Sequence, residues 1–326
     1  MTLSSGGILL IDKEAGLTSA AVVARIRRLL GMKRVGHTGT LDPFATGLLP
    51  ICFGRATAAA GAIQAWDKVY RCGIKLGSAT TTMDPEGQVT HSLADPSACR
   101  DFLPGGRGLG RLQEALASLT EETVQEAPAY SAVKVGGKAL YHYAREGREV
   151  ERPLRPIRVY EVRLHEVQVD PQGWPLVYAD FRVSSGTYIR SLADLLGQKL
   201  ACHGHAVWLR RLSVGHFHLD QALTLEALFS RFDELDKKPR ALLAALEQAG
   251  AILDTGQAYA DWPRQDLTLD QAREFSHGRT LALGDGDEGR RAFFYQDRLL
   301  AIGQIEGGRG RVKRVFMTPD MLQEER

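Results

Sequence analysis

A short unbroken apolar run, Ile8-Leu9-Leu10-Ile11, is closed by Asp12-Lys13 and predicts a buried strand. Thr18 or Ser19 is placed to cap a helix in which Val22, Ile26 and Leu29 recur at i, i+4 and i+7, and Gly31 is placed to end it. A Gly- and Thr-rich loop over 36–47 precedes a second strand at 48–53. Residues 67–76 predict a strand ending at Gly77, 104–110 a Gly-rich loop, and 111–120 a helix. Val177, Ala179, Phe181 and Val183 alternate strictly, as in a half-buried strand, which stops at Ser184-Ser185-Gly186. Ile189, Leu192, Leu196 and Leu200 then return at helical spacing. Residues 219–250 read as largely helical and acidic. After Trp262-Pro263 the pattern turns to β, with strands at 292–295 and 299–305 joined around Gln296-Asp297 and a further strand at 312–317.

Strands and helices mix without a βαβ rhythm, which predicts an α+β fold with a mainly antiparallel mixed sheet flanked by helices. The change of character near residue 258 predicts a small β-rich C-terminal domain after a large one over 1–257. A length of 326 residues with 44% hydrophobic residues suits that division. No apolar run reaches the about 18 residues that a membrane span needs. The start, Met1-Thr2-Leu3-Ser4-Ser5, has no charge ahead of its short apolar run and is not expected to be a signal peptide. No internal repeat or low-complexity tail is evident. Cys52, Cys72, Cys99 and Cys202 form no CxxC pair and are expected to be reduced core thiols of a cytoplasmic protein. Cys202-His203-Gly204-His205 has no second cluster to complete a metal site, and none is expected.

The net charge of +2 says little, but its distribution says more. Arg25, Arg27, Arg28, Lys33 and Arg34 stand together without an acid. Residues 134–158 hold seven basic residues against three acidic ones, and Arg309, Arg311, Lys313 and Arg314 cluster near the C-terminus. Acids gather at Asp233-Glu234 and over 285–288. Segregated basic stretches suit a polyanionic partner, although any one of them also reads as a solvated face.

Asp42 holds the most informative position. An isolated Asp-Pro pair ordinarily caps a helix. Here three glycines, three threonines and His37 crowd the same segment, and glycine lets a backbone come close to a ligand.

At this point the residues resemble a family. Gly36-His37-Thr38-Gly39-Thr40-Leu41-Asp42-Pro43-Phe44-Ala45-Thr46-Gly47-Leu48-Leu49-Pro50 is similar to the signature of the TruB family, the tRNA pseudouridine-55 synthases, with Phe44 where Leu is usual. Other pseudouridine synthase branches typically carry Arg at the place of Thr40. Leu10-Ile11-Asp12-Lys13 with Gly16-Leu17-Thr18-Ser19, then Asp67-Lys68-Val69-Tyr70, resemble the family's first and second motifs. Pro128-Ala129-Tyr130-Ser131-Ala132-Val133-Lys134, with Gly137, Tyr141, Ala144-Arg145 and Gly147, resembles its RNA-gripping insertion, here about 125–152. Gly186-Thr187-Tyr188-Ile189-Arg190-Ser191-Leu192 and Leu209-Arg210-Arg211 complete the set. The C-terminal part, with Leu300-Ala301-Ile302-Gly303 and Arg311-Val312-Lys313-Arg314-Val315-Phe316, resembles a PUA-type RNA-binding domain more loosely. The chain departs from the family at Leu195-Leu196-Gly197, where an Asp-Leu-Gly run is common, and at Ala201 and His203, where Gly is common.

The resemblance implies isomerisation of uridine in the T-loop of tRNA, with a flipped-out base, no cofactor and no metal. It implies a catalytic set of Asp42, Tyr70 and Arg190, with Arg190 holding Asp42 ionised; spacing alone would pair Arg190 with Asp194. It implies that Tyr70 packs on the target base, though a strand tyrosine is commonly core. Tyr188 and Leu209 would wall the pocket beside Gly39 and Thr40. His37 would enter the T-loop, and Lys134 and Arg145 would meet RNA. Lys13 would touch RNA or brace the motif loop. The expected partner is the tRNA T-arm, bound by a monomer without an obligate protein partner. A non-catalytic RNA-folding protein and the catalytic subunit of a guide-RNA particle are the alternatives.

Overall fold

The computed structural model describes residues 6–284 and 288–322. The opening Met1 to Ser5, and Asp285 and Asp287 of the acidic run, lie outside the described residues. The first strand, β1 (Gly6–Lys13), is apolar on both faces because both are covered: Leu9 and Ile11 enter one core while Ile8 and Leu10 enter another. Helix α1 (Ser19–Leu30) is capped by Thr18, whose hydroxyl accepts from the Ala21 amide at 3.0 Å, and it ends at Gly31 with φ +62°. Its face of Val22, Ile26 and Leu29 is buried, each side chain contributing on the order of 2 kcal/mol.

The chain continues through β2 (Thr46–Gly54), β3 (Lys68–Leu76), α2 (Leu109–Ser118), β4 (Val159–Val169), β5 (Pro175–Val183), α3 (Ile189–Lys199), β6 (Gly204–Val214) and β7 (Leu223–Thr224). These strands make one sheet in the order β4-β5-β3-β6-β2-β1-β7. Only β6 with β2 and β1 with β7 run parallel, so the sheet is mixed and mainly antiparallel. Side chains of α1, α2 and α3 pack on one face of it.

The stretch over 219–250 is less continuously helical than its composition predicts. After β7 it divides into α4 (Leu225–Glu234) and α5 (Pro239–Gln248), separated by Asp236 and Lys237 in left-handed backbone. Pro239 opens the second helix, where its missing amide costs nothing. Helix α2 starts at Leu109, inside the expected loop.

A second sheet follows, built from β8 (Arg264–Asp266), β9 (Leu281–Ala282), β10 (Gly289–Tyr295), β11 (Arg298–Glu306) and β12 (Arg309–Val315) in the order β8-β10-β11-β12-β9, with helix α6 (Leu269–Ser276) beside it. Gln296 and Asp297 both have positive φ, as a two-residue hairpin turn between β10 and β11 requires. Ala292, Leu299, Ile302 and Phe316 pack in one cluster with Ile8, Leu10 and Cys52, so the β-rich part shares core with the large sheet. All four cysteines are buried and free. No helix among the described residues is long and apolar enough to cross a membrane.

Candidate active site

No helix follows Asp42-Pro43; residues 41–45 are irregular and Thr46 opens β2. The helix-cap reading of Asp42 therefore has no helix to cap. The loop is fixed by other means. Ser19 Oγ accepts from the Leu41 amide at 2.9 Å and donates to the Leu41 carbonyl at 3.2 Å. The Gly16 amide donates to the Pro43 carbonyl at 2.8 Å. Gly47, with φ +100°, lies so close to β6 that a Cβ would meet the Arg211 carbonyl oxygen at 2.3 Å; only glycine fits there.

Lys13 belongs to this bracing. Its side chain is fully buried, and Nζ donates to the carbonyls of Glu14, Leu17 and Pro43 at 2.9, 2.8 and 3.2 Å. All three of its donors are committed, so the expected RNA contact gives way to a structural brace. Burial, offset by the charge of Asp42, lowers its ammonium to about 8.

Arg190 on α3 reaches Asp42, with Nε 3.0 Å from Oδ2. It does not pair with Asp194. One Nη donates to the Thr82 carbonyl at 2.7 Å and to Asp84 Oδ2 at 2.8 Å, and the other donates to the Tyr130 carbonyl at 3.0 Å. Asp84, also buried, accepts from the Glu86 amide at 3.0 Å and from Thr82 Oγ1. One buried cation thus serves two carboxylates, and Asp84 fixes the guanidinium from the side opposite Asp42. The Asp42 side chain remains 34% exposed, open toward a cavity. Burial pushes its carboxyl above the ordinary value, Arg190 and Lys13 pull it down, and the like charge of Asp84 adds to the rise.

The cavity measures about 410 Å³, within the range of small-ligand pockets. Asp42, Tyr70, Tyr188, Leu209 and Lys134 all line it, as do Gly39 and Thr40. Tyr70, on β3, is nearly buried but keeps a face in the cavity, so it is both a core aromatic and a pocket wall. The Tyr188 backbone is held by Gln125, whose side-chain amide exchanges hydrogen bonds of 2.7 and 3.1 Å with its amide and carbonyl. His37 stands outside the lining, half-buried, with Nδ1 accepting from the Gly39 amide at 3.3 Å; burial and nearby Arg211 hold its imidazole below the usual value. Arg145 is exposed on the short helix Leu140–Arg145, 5.7 Å from the ring of Tyr141, and does not reach the cavity.

Four further residues belong to the site without having been singled out. Asp84 had no sequence signal beyond a polar turn. Arg211, 1% exposed, donates to the carbonyls of Leu48 and Gly39 and stands 6.0 Å from the ring of Tyr70. Lys68 is buried beside it and lowered to about 8 by desolvation, then by Arg211. Ser131 lines the cavity, and its buried hydroxyl has no hydrogen-bond partner among the described residues. Lys68, Ser131 and Arg211 each stand in a motif quoted above, which was the available signal.

Residues 27–189 match the TruB family pseudouridylate synthase N-terminal domain, and residues 190–249 match the tRNA pseudouridylate synthase B C-terminal domain. The chain is 38% identical over 319 residues to tRNA pseudouridine synthase B of Aromatoleum aromaticum, covering 98% of this chain and 95% of the relative. It is 42% identical to the protein of that name in Geobacillus kaustophilus, over 74% of this chain and 82% of that one. Among solved structures, a chain of a Cbf5-Nop10-Gar1 complex superposes with a TM-score of 0.69 at 24% identity, covering 98% of this chain and 87% of that chain, a likeness of fold. With family matches across residues 27–249 and a relative aligned almost end to end, the chain belongs to the TruB family of pseudouridine synthases.

Proposed function

We propose that this tRNA pseudouridine synthase isomerises the uridine at position 55 of the tRNA T-loop, with Asp42 as its catalytic carboxylate. The observation that carries the reading is the Asp42–Arg190 pair at a cavity that Tyr70 and Tyr188 also line. A uracil turned out of its loop can lie against the Tyr70 ring, since flat aromatic surfaces suit unstacked bases.

The reaction breaks the N1–C1′ bond, turns the base, and joins C5 to C1′; C5 gives up its proton and N1 gains one. No atom is gained or lost overall. The Asp42 carboxylate serves either as a nucleophile toward carbon or as the base that removes a sugar proton. Either role needs the charged form in a site shielded from water, where burial opposes the charge and Arg190 supports it. Asp84 is a positioning residue that holds Arg190 in place.

The inserted segment at 125–152 bears Lys134, which faces the cavity, and Arg145, which faces solvent, so phosphate contacts on its outer surface suit Arg145. His37 ends the short strand Val35–His37, which pairs with β2 inside the stretch expected to be a loop, and from the start of the turn toward Asp42 its position fits entry into the T-loop. The C-terminal domain, over about 258–326, is read as PUA-like, with Arg309, Arg311, Lys313 and Arg314 exposed on β12. The enzyme acts as a cytoplasmic monomer on the T-arm alone. The test is tritium release from a bare T-arm hairpin containing uridine tritiated at C5, with purified chain and no other protein. Release from the single T-loop position supports the reading; release only from intact tRNA, or none, refutes it.

A further inference from the structure

Beside residues that line the cavity, an exposed tyrosine has two arginines close to its ring. Tyr160, 37% exposed on β4, has Arg158 Cζ 5.1 Å and Arg182 Cζ 5.3 Å from its ring centroid. Its hydroxyl donates to Asp67 Oδ1 at 3.1 Å. Tyr160 falls in a β-bulge: Val159 pairs with Val183 and Glu161 with Arg182, leaving Tyr160 the extra residue. Bulges re-aim side chains, and the Tyr160 ring here is exposed with both guanidiniums near it.

The group is joined to the cavity wall. The Arg158 amide donates to Ser184 Oγ and the Ser184 amide to the Arg158 carbonyl, both at 2.8 Å, and Ser184 lines the cavity. Arg155, three residues earlier, lines it as well, and so does Lys68 beside Asp67.

The arginines elsewhere on these strands are neutralised. Arg71 forms a two-pronged pair with Asp180 at 2.7 and 2.9 Å, and Arg163 pairs with Glu161. Beside Tyr160, Arg182 lies 4.0 Å from Asp67, the outer limit of an ion pair, and Arg158 has no carboxylate partner among the described residues. Two guanidiniums are thus held in place by a ring while their forks stay available. Ordering an arginine side chain on binding costs conformational entropy, and stacking on a ring lowers what remains to be lost. A guanidinium fork matches a phosphate.

We propose that Arg158, Tyr160 and Arg182 form a phosphate clamp that grips the RNA backbone next to the nucleotide held in the cavity. The inference rests on the reading of that cavity as a uridine site in tRNA. It is tested with the Arg158→Gln/Arg182→Gln double variant, a T-arm hairpin RNA, and binding measured across a salt series alongside single-turnover pseudouridine formation. Thermal melting checks the fold of each variant. The double variant should bind about 10-fold more weakly at physiological salt. Its log–log salt slope should be shallower by about 1.4–1.8, the loss of two phosphate contacts. The single-turnover rate at saturating RNA should stay within about twofold. Tyr160→Leu, which keeps both charges but frees them, should weaken binding while keeping the slope. Arg163→Gln, one charge less on the same strand, should bind as wild type. A double variant with wild-type affinity and slope, in an enzyme that makes pseudouridine, overturns the clamp and leaves the uridine site standing. An inert wild-type enzyme whose salt slope still falls in the double variant supports the clamp and overturns the reading of the cavity.

Discussion

Asp42 and Asp84 share Arg190, and their positions divide the work. Asp84 is sealed in, with its oxygens engaged by Arg190, Thr82 and the Glu86 amide, whereas Asp42 keeps a third of its surface open to the cavity. The consequence is electrostatic. Because the Asp42 carboxyl is raised by burial and by the charge of Asp84, it protonates at a higher pH than a free aspartate, near 3.9. On the proposed role of Asp42, activity needs the carboxylate and should fall, as pH falls, through a value above about 3.9. The linked effect on stability has the opposite sense: a carboxyl raised on folding favours the fold while protonated, and that contribution is lost as pH rises through the raised value. Asp84→Asn removes the like charge. The acid limb of the kcat/KM profile should move to lower pH, with a lower plateau because Arg190 loses an anchor. An acid limb that stays in place or moves up would contradict this electrostatic assignment.

Elements transmit order to the site through single contacts. Ser19 is the first residue of α1, yet its hydroxyl grips both backbone groups of Leu41, next to Asp42. Ser19→Ala leaves the Leu41 amide and carbonyl unpaired in a buried place and should cost about 1–3 kcal/mol. Turnover should fall more than RNA affinity, since the loop that aims Asp42 loosens while the binding surface stays. Denaturant melts with single-turnover rates would show this, and unaltered stability and rate would refute it. After α3 the chain turns through Ala201 and His203, both with φ +57°. These are the two places where the sequence departs from the family's usual glycines, and the left-handed backbone explains the preference. Ala201→Gly should therefore stabilise the protein by about 1 kcal/mol, read as a higher midpoint in denaturant; a lower midpoint would argue against strain there.

What was legible in the pattern depended on how regular each element is. Strands β1 and β5 and helices α1 and α3 follow simple periods and stand where the periods predict. Strand β6 does not. Irregular pairing between Ala206 and Trp208 and between Arg211 and Ser213 breaks its alternation, and it buries Arg211 where a period would require an apolar residue. Strand β4 has two such irregularities and lies at the sheet edge. Asp42, Tyr70 and Arg190 could be singled out because they sit in recognisable motifs. Asp84 could not, because its partner Arg190 lies 106 residues away and only the fold brings the two together.

At the scale of the whole molecule, the β-rich C-terminal part is packed as core against the large sheet. Tyr259, Leu299, Ile302 and Phe316 cover Ile8 and Leu10 of β1. Deleting residues from about 258 onward would expose that apolar face and unfold more than the part removed. The contribution of the domain to RNA binding is better reached by charge: Arg309→Gln/Arg311→Gln/Lys313→Gln leaves the core intact, because all three side chains are exposed. If each meets a phosphate, the salt slope of tRNA binding should become shallower by about 2–3 while turnover at saturating RNA is kept. An unchanged slope would place RNA elsewhere.

The predicted effects on turnover depend on one assignment, that the open carboxylate in the cavity performs the chemistry. Asp42→Asn keeps its size and its place beside Arg190 and removes the charge, so it separates chemistry from architecture. The measurement is pseudouridine formation in a T-arm hairpin under single-turnover conditions, with binding of the same RNA checked on the same samples. The account expects a folded protein that binds the hairpin and forms no detectable pseudouridine. Formation of pseudouridine by Asp42→Asn at a rate near wild type would contradict it.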